Sequence, residues 1–482
     1  MRATIKGVKQ FSGRELRFDV DPGFALPDLD GTPLEPRTLT SSYYDTADRR
    51  LLGCGITFRR RVESRAGLWT LELPQEEGAL ELTSPGGPTR LPPSFLELLP
   101  ALLRNGAALE PIAKLRSRRT GYSVTRDTGT VEVVLDSVAV LDGSRIAGRF
   151  AEVEAEVVAG NGSALSTIGK ELRRAGAGRS RGETRLERAL ADEPTPATGK
   201  HDATAADHLR ALLSEQYREL LANDPSVRLG EDSESLHRAR VATRRARALL
   251  RAADGLVDEE WATGLRAELK WLGALLGPVR DLDVLVEHVD SEIAGLDRED
   301  ARAFASIRRR LEQQRTDTRA ALLEAMSEPR YFRLLDRLEQ AGNAPAGNGA
   351  VSLEQIAERA FKRTRKAMKA LSRNPTDDEL HQVRIEVKRA RYAGELAEPV
   401  LGKAGSRFVR AAKDVQDVIG DHQDAFVAEL RMRELAASGR AARSALVAGR
   451  LIERQRLRKK AARKALPAAW RAFEKAGRAA FS

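Results

Sequence analysis

The pattern of hydrophobic and polar positions changes character once along the chain. Through the first 190 residues apolar side chains come in short alternating runs, TLTSSYYD, ITFRRRVE, LWTLELP, AKLRSRRTGYSV, TVEVVLDSVAV and RFAEVEAEVV, separated by turns rich in Gly, Pro and Asp. A period of two is that of a strand with one buried face, so residues 1–190 are predicted to form a β-rich domain. Helical patterns interrupt it at about 94–104 and 164–175. The stretch ADEPTPATGKHDA, residues 191–203, has the composition of a linker. Beyond it the period lengthens to 3.6. Residues 204–340 and 352–478, divided by AGNAPAGNGA, are rich in Ala, Leu, Arg and Glu and predict long helices packed as a bundle over 204–482.

The two helical halves repeat each other. His237, Arg240, Val241, Arg244, Arg245 and Arg247 recur 144 residues later as His381, Arg384, Ile385, Lys388, Arg389 and Arg391. Leu276, Gly277 and Asp281 recur 143 residues later as Ile419, Gly420 and Asp424. A duplicated helical unit explains both, with its halves packed about a pseudo-twofold axis and equivalent faces turned to one central site. Offsets of 0, 3, 7 and 10 stay within roughly 80° of one line on a helix, so His237, Arg240, Arg244 and Arg247 share a face, as do His381, Arg384, Lys388 and Arg391.

Charge gives that face a meaning. The formal net charge is +11, and from residue 201 onward 52 Lys+Arg stand against 43 Asp+Glu (+9), which leaves 29 against 27 (+2) for the first 200. A lone basic stripe is ordinarily a solvated helix surface, but the same stripe at the same turns of both repeats points to an anion. Arg donates paired hydrogen bonds to phosphate, Lys supplies a point charge, and His adds a donor that depends on pH. A ladder of cations fits a linear ladder of phosphates. Asp281, Asp283 and Asp424 are read as ion-pair partners or helix caps. Nucleic acid is the competing polyanion, yet aromatics are only 5% of residues and none interleave with the stripes to stack bases. Bare inorganic polyphosphate is the simpler ligand, and its binding requires no cofactor.

Other classes are argued against. No stretch approaches the roughly 20 apolar residues of a membrane span, and the N-terminus lacks a secretory signal pattern, so no membrane partner and a cytoplasmic location are expected. The single cysteine, Cys54, agrees with a reducing compartment. No nucleophilic triad, Walker loop or dinucleotide fingerprint is present.

His237 to Arg245 together with Leu276 to Asp283, and their recurrence at 381–391, resemble the CHAD domain family over about 204–478. The resemblance implies a two-lobed helical fold, a basic central groove or pore, binding of inorganic polyphosphate, and association with polyphosphate granules in cells that make them. Matching positions carry the binding role onto His237, Arg240, Arg244, Arg247, His381, Arg384, Lys388 and Arg391.

The first 190 residues resemble a CYTH domain, the triphosphate tunnel fold, through Ser42-Tyr43-Tyr44-Asp45-Thr46, Arg59-Arg60-Arg61, Trp69-Thr70-Leu71 and Glu152, Glu154 and Glu156. The fold class expected for the whole chain is therefore α+β, an N-terminal antiparallel β-barrel followed by an all-α, internally duplicated helical bundle. Arg59 and Arg61, Arg116 and Arg118, and the three glutamates each alternate with period two. A closed barrel would turn them to its lumen, Arg to phosphate and Glu to Mg or Mn. Solvent-facing strands alternate in the same way.

The stretch Gly13-Arg14-Glu15-Leu16-Arg17 departs from the family's Glu-x-Glu-x-Lys strand, and Glu72 stands where a phosphate-binding lysine is usual. Glu15, Glu152, Glu154 and Glu156 remain as metal candidates. The leading expectation is polyphosphate binding by the helical domain, with a degenerate tunnel domain attached. The alternative is a metal-dependent triphosphate or short-chain polyphosphate hydrolase.

Overall fold

The computed structural model describes residues 8–481 except 11–14, 65, 77, 127, 161, 192–203, 254, 294–297, 346, 348–351 and 439–441. Gly13 and all of the expected linker but residue 191 lie outside the described residues. The chain forms two compact units, Met1–Gly199 with Leu221–Ser235, and Lys200–Leu220 with Leu236–Ser482.

The first unit is built on strands β1 (Val8–Gln10), β2 (Glu15–Val20), β3 (Thr32–Asp45), β4 (Thr57–Glu63), β5 (Ala66–Pro74), β6 (Ala79–Pro85), β7 (Glu110–Arg126), β8 (Gly129–Asp142), β9 (Arg145–Gly160) and β10 (Gly178–Arg179). Between and after them lie helices α1 (Arg50–Gly53), α2 (Pro93–Leu96), α3 (Ser163–Arg174) and α4 (Arg185–Leu190). The strands form one ten-stranded sheet in the order β1-β6-β5-β4-β3-β7-β8-β9-β2-β10, every neighbouring pair antiparallel.

The expected barrel is not formed. Closure requires each strand to pair on both edges, whereas among the described residues β1 pairs with β6 alone and β10 with β2 alone. These edge strands are three and two residues long, so each offers little ladder for closure. The sheet is open, with helices accompanying it. On one side, Phe18, Val133, Val153 and Ala155 meet Ile168 and Leu172 of α3 in an apolar core. On the other, Tyr43, Leu115 and Val138 receive Leu186 of α4, whose N-terminus is held by a Thr184–Glu187 capping box.

The rest of the chain is helical: α5 (Ala205–Leu229), α6 (Ser233–Ala252), α7 (Glu259–Ile293), α8 (Arg298–Ala325), α9 (Pro329–Glu339), α10 (Leu353–Lys369), α11 (Asp377–Ser438) and α12 (Ala442–Ala480). This is the expected duplicated bundle. α11 breaks at Gly402, whose φ of 55° and ψ of −134° are accessible only to glycine. Past the break the helix packs back on its own first half. Val383, Val387 and Ala390 meet Phe408, Ala412, Val415 and Ile419, and Phe361 of α10 and Phe473 of α12 complete the core.

Candidate functional site

The hydrophobic stripe of α6 buries Leu236, Ala239, Ala242, Ala246 and Leu249, and the 3.6-residue repeat leaves Arg240, Arg244 and Arg247 on the adjoining face. The first half of α11 does the same with Val383, Val387 and Ala390 buried and Arg384 and Lys388 beside them. The Arg240 side chain lies against Gly277 of α7, whose Cβ would stand 3.9 Å from Nε, and the Arg384 side chain lies against Gly420, whose Cβ would stand 3.7 Å from Nη2. The two repeats thus present their arginines in equivalent settings.

These settings converge. Burial, then Arg384, Arg244 and Arg240, push the Lys388 ammonium down to about 7, with Asp424 the offsetting acid. Burial and the same neighbours also lower Arg384, and Arg240 is lowered by burial, with Arg244 and Arg280 adding to the effect and Asp281 and Asp424 opposing it. Four cations from two repeats therefore share one region. Arg240 stands 3.5 Å from Asp281, and Asp283 stands 3.8 Å from Arg315. Nε of Arg244 and Nε of Arg384 are buried with no hydrogen-bond acceptor among the described residues, and the buried Nδ1 of His381 has no hydrogen-bond partner among them. Buried donors are normally satisfied, and the region has cations in excess of the acids Asp281 and Asp424 that offset them.

The remaining stripe residues divide. Arg247 and Lys388 line a pocket of about 510 Å³ between α6, α10 and α11, together with Arg251, Arg359 and Arg363, which the stripe pattern had not singled out. Arg251 was legible as the next turn of the α6 stripe, while Arg359 and Arg363 belong to a helix whose approach only packing reveals. Arg391 turns away to Glu395 (2.9 Å) and Gln416 (3.1 Å). His237 and His381 sit half-buried one turn before the arginines.

In the sheet unit, strand registry sorts the charges. Arg59 and Arg61 of β4 lie on the face that carries Tyr43, Arg119, Asp136, Glu152 and Glu154. Arg116 and Arg118 are on the opposite face and exposed, so Arg119 is the β7 cation on the charged side. Arg59 is 2.6 Å from Glu72 and 3.4 Å from Glu81. Burial opposes its charge, but Glu72, Tyr43 and Glu81 raise it above the ordinary arginine value. Glu72 therefore neutralises an arginine.

The acids are likewise engaged. Asp136 takes Arg119 at 2.7 Å and Arg185 at 2.6 Å, and Glu152 is hydrogen-bonded by Arg185 and stands 3.6 Å from Arg188. Glu154 stands 3.3 Å from both Arg17 and Arg119, and Arg17 also binds Glu15. Burial and then Glu154 push Glu15 up to about 7, while Glu154 is held at about 2, with burial opposed by Glu15 and the arginines. Glu156 is exposed. A divalent ion wants several free anionic oxygens, and among the described residues no three His, Cys, Asp or Glu are grouped to hold one. The candidate carboxylates Glu15, Glu152 and Glu154 are instead paired with arginines. No described helix is long and apolar enough to cross a membrane.

The chain is 27% identical over 511 residues to the uncharacterized protein Rv2226 of Mycobacterium tuberculosis, covering 97% of each. Among solved structures it resembles PptA from Streptomyces chartreusis (26% identity, TM-score 0.45, 55% of this chain and 99% of that one). It also resembles the CHAD domain from the plant Ricinus communis (27% identity, TM-score 0.46, 56% and 92%). Residues 14–189 match the family model of the CYTH domain and residues 211–433 that of the CHAD domain. The chain accordingly contains an N-terminal CYTH domain and a C-terminal CHAD domain.

Proposed function

We propose that this protein binds inorganic polyphosphate through the cluster formed by Arg240, Arg244, Arg384 and Lys388. The observation that carries the reading is the meeting of cations from both repeats with buried guanidinium Nε groups that no acceptor satisfies among the described residues. Holding like charges together in a half-buried place is costly, and the cost is recovered when an anion arrives. A linear phosphate chain offers charge and acceptors in series, which suits arginines spaced along two helices. The CHAD assignment supports the same ligand. Hydrolysis in the CYTH domain is not favoured, because its carboxylates are held by its own arginines.

The test is titration of the full chain with polyphosphate at several salt concentrations, beside the variant Arg240→Gln/Arg244→Gln/Arg384→Gln/Lys388→Gln and with RNA as competitor. The native chain should bind with an affinity that RNA at equal phosphate concentration does not displace, and the variant should lose about ten-thousandfold, at roughly a factor of ten for each of the four charge-assisted contacts. Undiminished binding by the variant, or equal displacement by RNA, would leave only a generic basic surface.

A further inference from the structure

The two repeats match at the centre and part company one turn further out. At the 144-residue offset, Leu353, Ala357, Phe361 and Thr364 of α10 correspond to Leu209, Leu213, Tyr217 and Leu220 of α5. Every one of these is buried, so the two helices are structural counterparts. Their neighbouring faces carry opposite charge: Arg359 and Arg363 on α10 correspond to Glu215 and Glu219 on α5. The stripes diverge likewise, because Arg251 of α6 corresponds to Glu395 of α11.

The consequence is an electrostatic break in the pseudo-symmetry. On the α5 side, buried Glu395 holds Arg391 at 2.9 Å and Arg245 at 3.1 Å, and Glu215 stands 3.8 Å from Arg245. The cations there are already neutralised. On the α10 side, Arg247, Arg251, Arg359 and Arg363 line the 510 Å³ pocket, and none has an acid within ion-pair distance among the described residues. The lining acid, Glu259, is taken by Arg266 at 2.6 Å. Lys388 and Arg244 line this pocket and also belong to the central cluster, which makes the two continuous.

We propose that the pocket between α6, α10 and α11 is a second phosphate-chain subsite, taking the stretch of a linear polyphosphate that leaves the central cluster, on this side and not on the pseudo-equivalent one. The inference rests on the polyphosphate reading above. Short chains are held by the central cluster alone, and longer chains gain affinity from Arg251, Arg359 and Arg363.

The experiment compares tripolyphosphate with long-chain polyphosphate as probes of the full chain across a salt series. Three variants are needed: Arg251→Gln/Arg359→Gln/Arg363→Gln in the pocket, Arg384→Gln/Lys388→Gln in the centre, and Arg333→Gln/Arg431→Gln/Arg478→Gln as a charge-matched control on exposed arginines elsewhere. The pocket variant should bind the long chain at least about tenfold more weakly, with a log–log salt slope shallower by about 2, as loss of three phosphate contacts requires. Its tripolyphosphate affinity should stay within about twofold of native, and the control should match native for both probes. Long-chain affinity and slope equal to the control's would overturn the subsite while leaving the polyphosphate reading in place, and equal loss for both probes would overturn the division of labour. Native-like binding by the central variant would instead bring down the polyphosphate reading itself. Matching thermal melts of all variants establish that folding is not the cause.

Discussion

Lys388 shows what burial among like charges does to a single side chain. Its ammonium, pushed down to about 7 from an ordinary value of 10.5, is protonated in folded and unfolded chains alike below pH 7. Between 7 and 10.5 the unfolded chain alone keeps the proton, so the folded state gains stability as pH rises through that window. A bound phosphate chain reverses the local charge and restores the proton. Affinity should therefore fall as pH rises above 7, by no more than about tenfold per pH unit, with net proton uptake of up to one. Calorimetry in buffers of different ionisation enthalpy measures that uptake, and Lys388→Arg should abolish it. Proton uptake unchanged in that variant would remove Lys388 from the site. At this scale the sequence was legible where chemistry repeats at helical spacing, as with Arg240 and Arg384. It was misleading in β7, where Arg116, Arg118 and Arg119 are adjacent in the chain and strand registry alone assigns Arg119 to the charged face.

At the scale of elements, the site depends on how the second repeat turns back on itself. Arg384 reaches Gly420 because α11 reverses at Gly402, and the return half is held by Phe408 against Phe361 and Phe473, with ring centroids 5.7 Å and 5.2 Å away. A φ of 55° with ψ of −134° excludes a side chain at that turn. Gly402→Ala should cost about 1–3 kcal/mol of stability, read as a lower urea midpoint at unchanged slope. An unchanged midpoint would mean that the backbone relaxes without strain. In the sheet unit the small capped helix α4 has a comparable role. Its Leu186 joins the apolar patch of Tyr43, Leu115 and Val138, and its arginines reach Asp136 and Glu152. Nothing in the strand pattern announced that pairing, since the partners are separated by 49 and 33 residues.

For the whole molecule, the charge of +11 predicts a binding reaction dominated by counter-ion release and therefore steeply weakened by salt. Saturating long-chain polyphosphate should raise the melting temperature of the full chain, by an increment that shrinks as sodium chloride is added. EDTA should change neither the affinity nor the melting temperature, because Glu15, Glu152 and Glu154 of the CYTH domain are ion-paired to arginines. A melting temperature that fell on chelation would point to a metal held by those acids.

The sequence by itself determined the two domain types, the strand and helix periods, the duplication and the basic stripes, because each is a local or periodic property that survives without knowledge of packing. Tertiary structure alone decided that the strands form an open sheet, which depends on what the edge strands find to pair with. It alone decided that the acids of that sheet meet arginines, a matter of registry between strands and of where α4 docks. It also decided that the two stripes meet and that one side of their meeting place stays cationic while the other is neutralised, since that follows from which neighbouring helix, α10 with its arginines or α5 with its glutamates, packs beside each stripe.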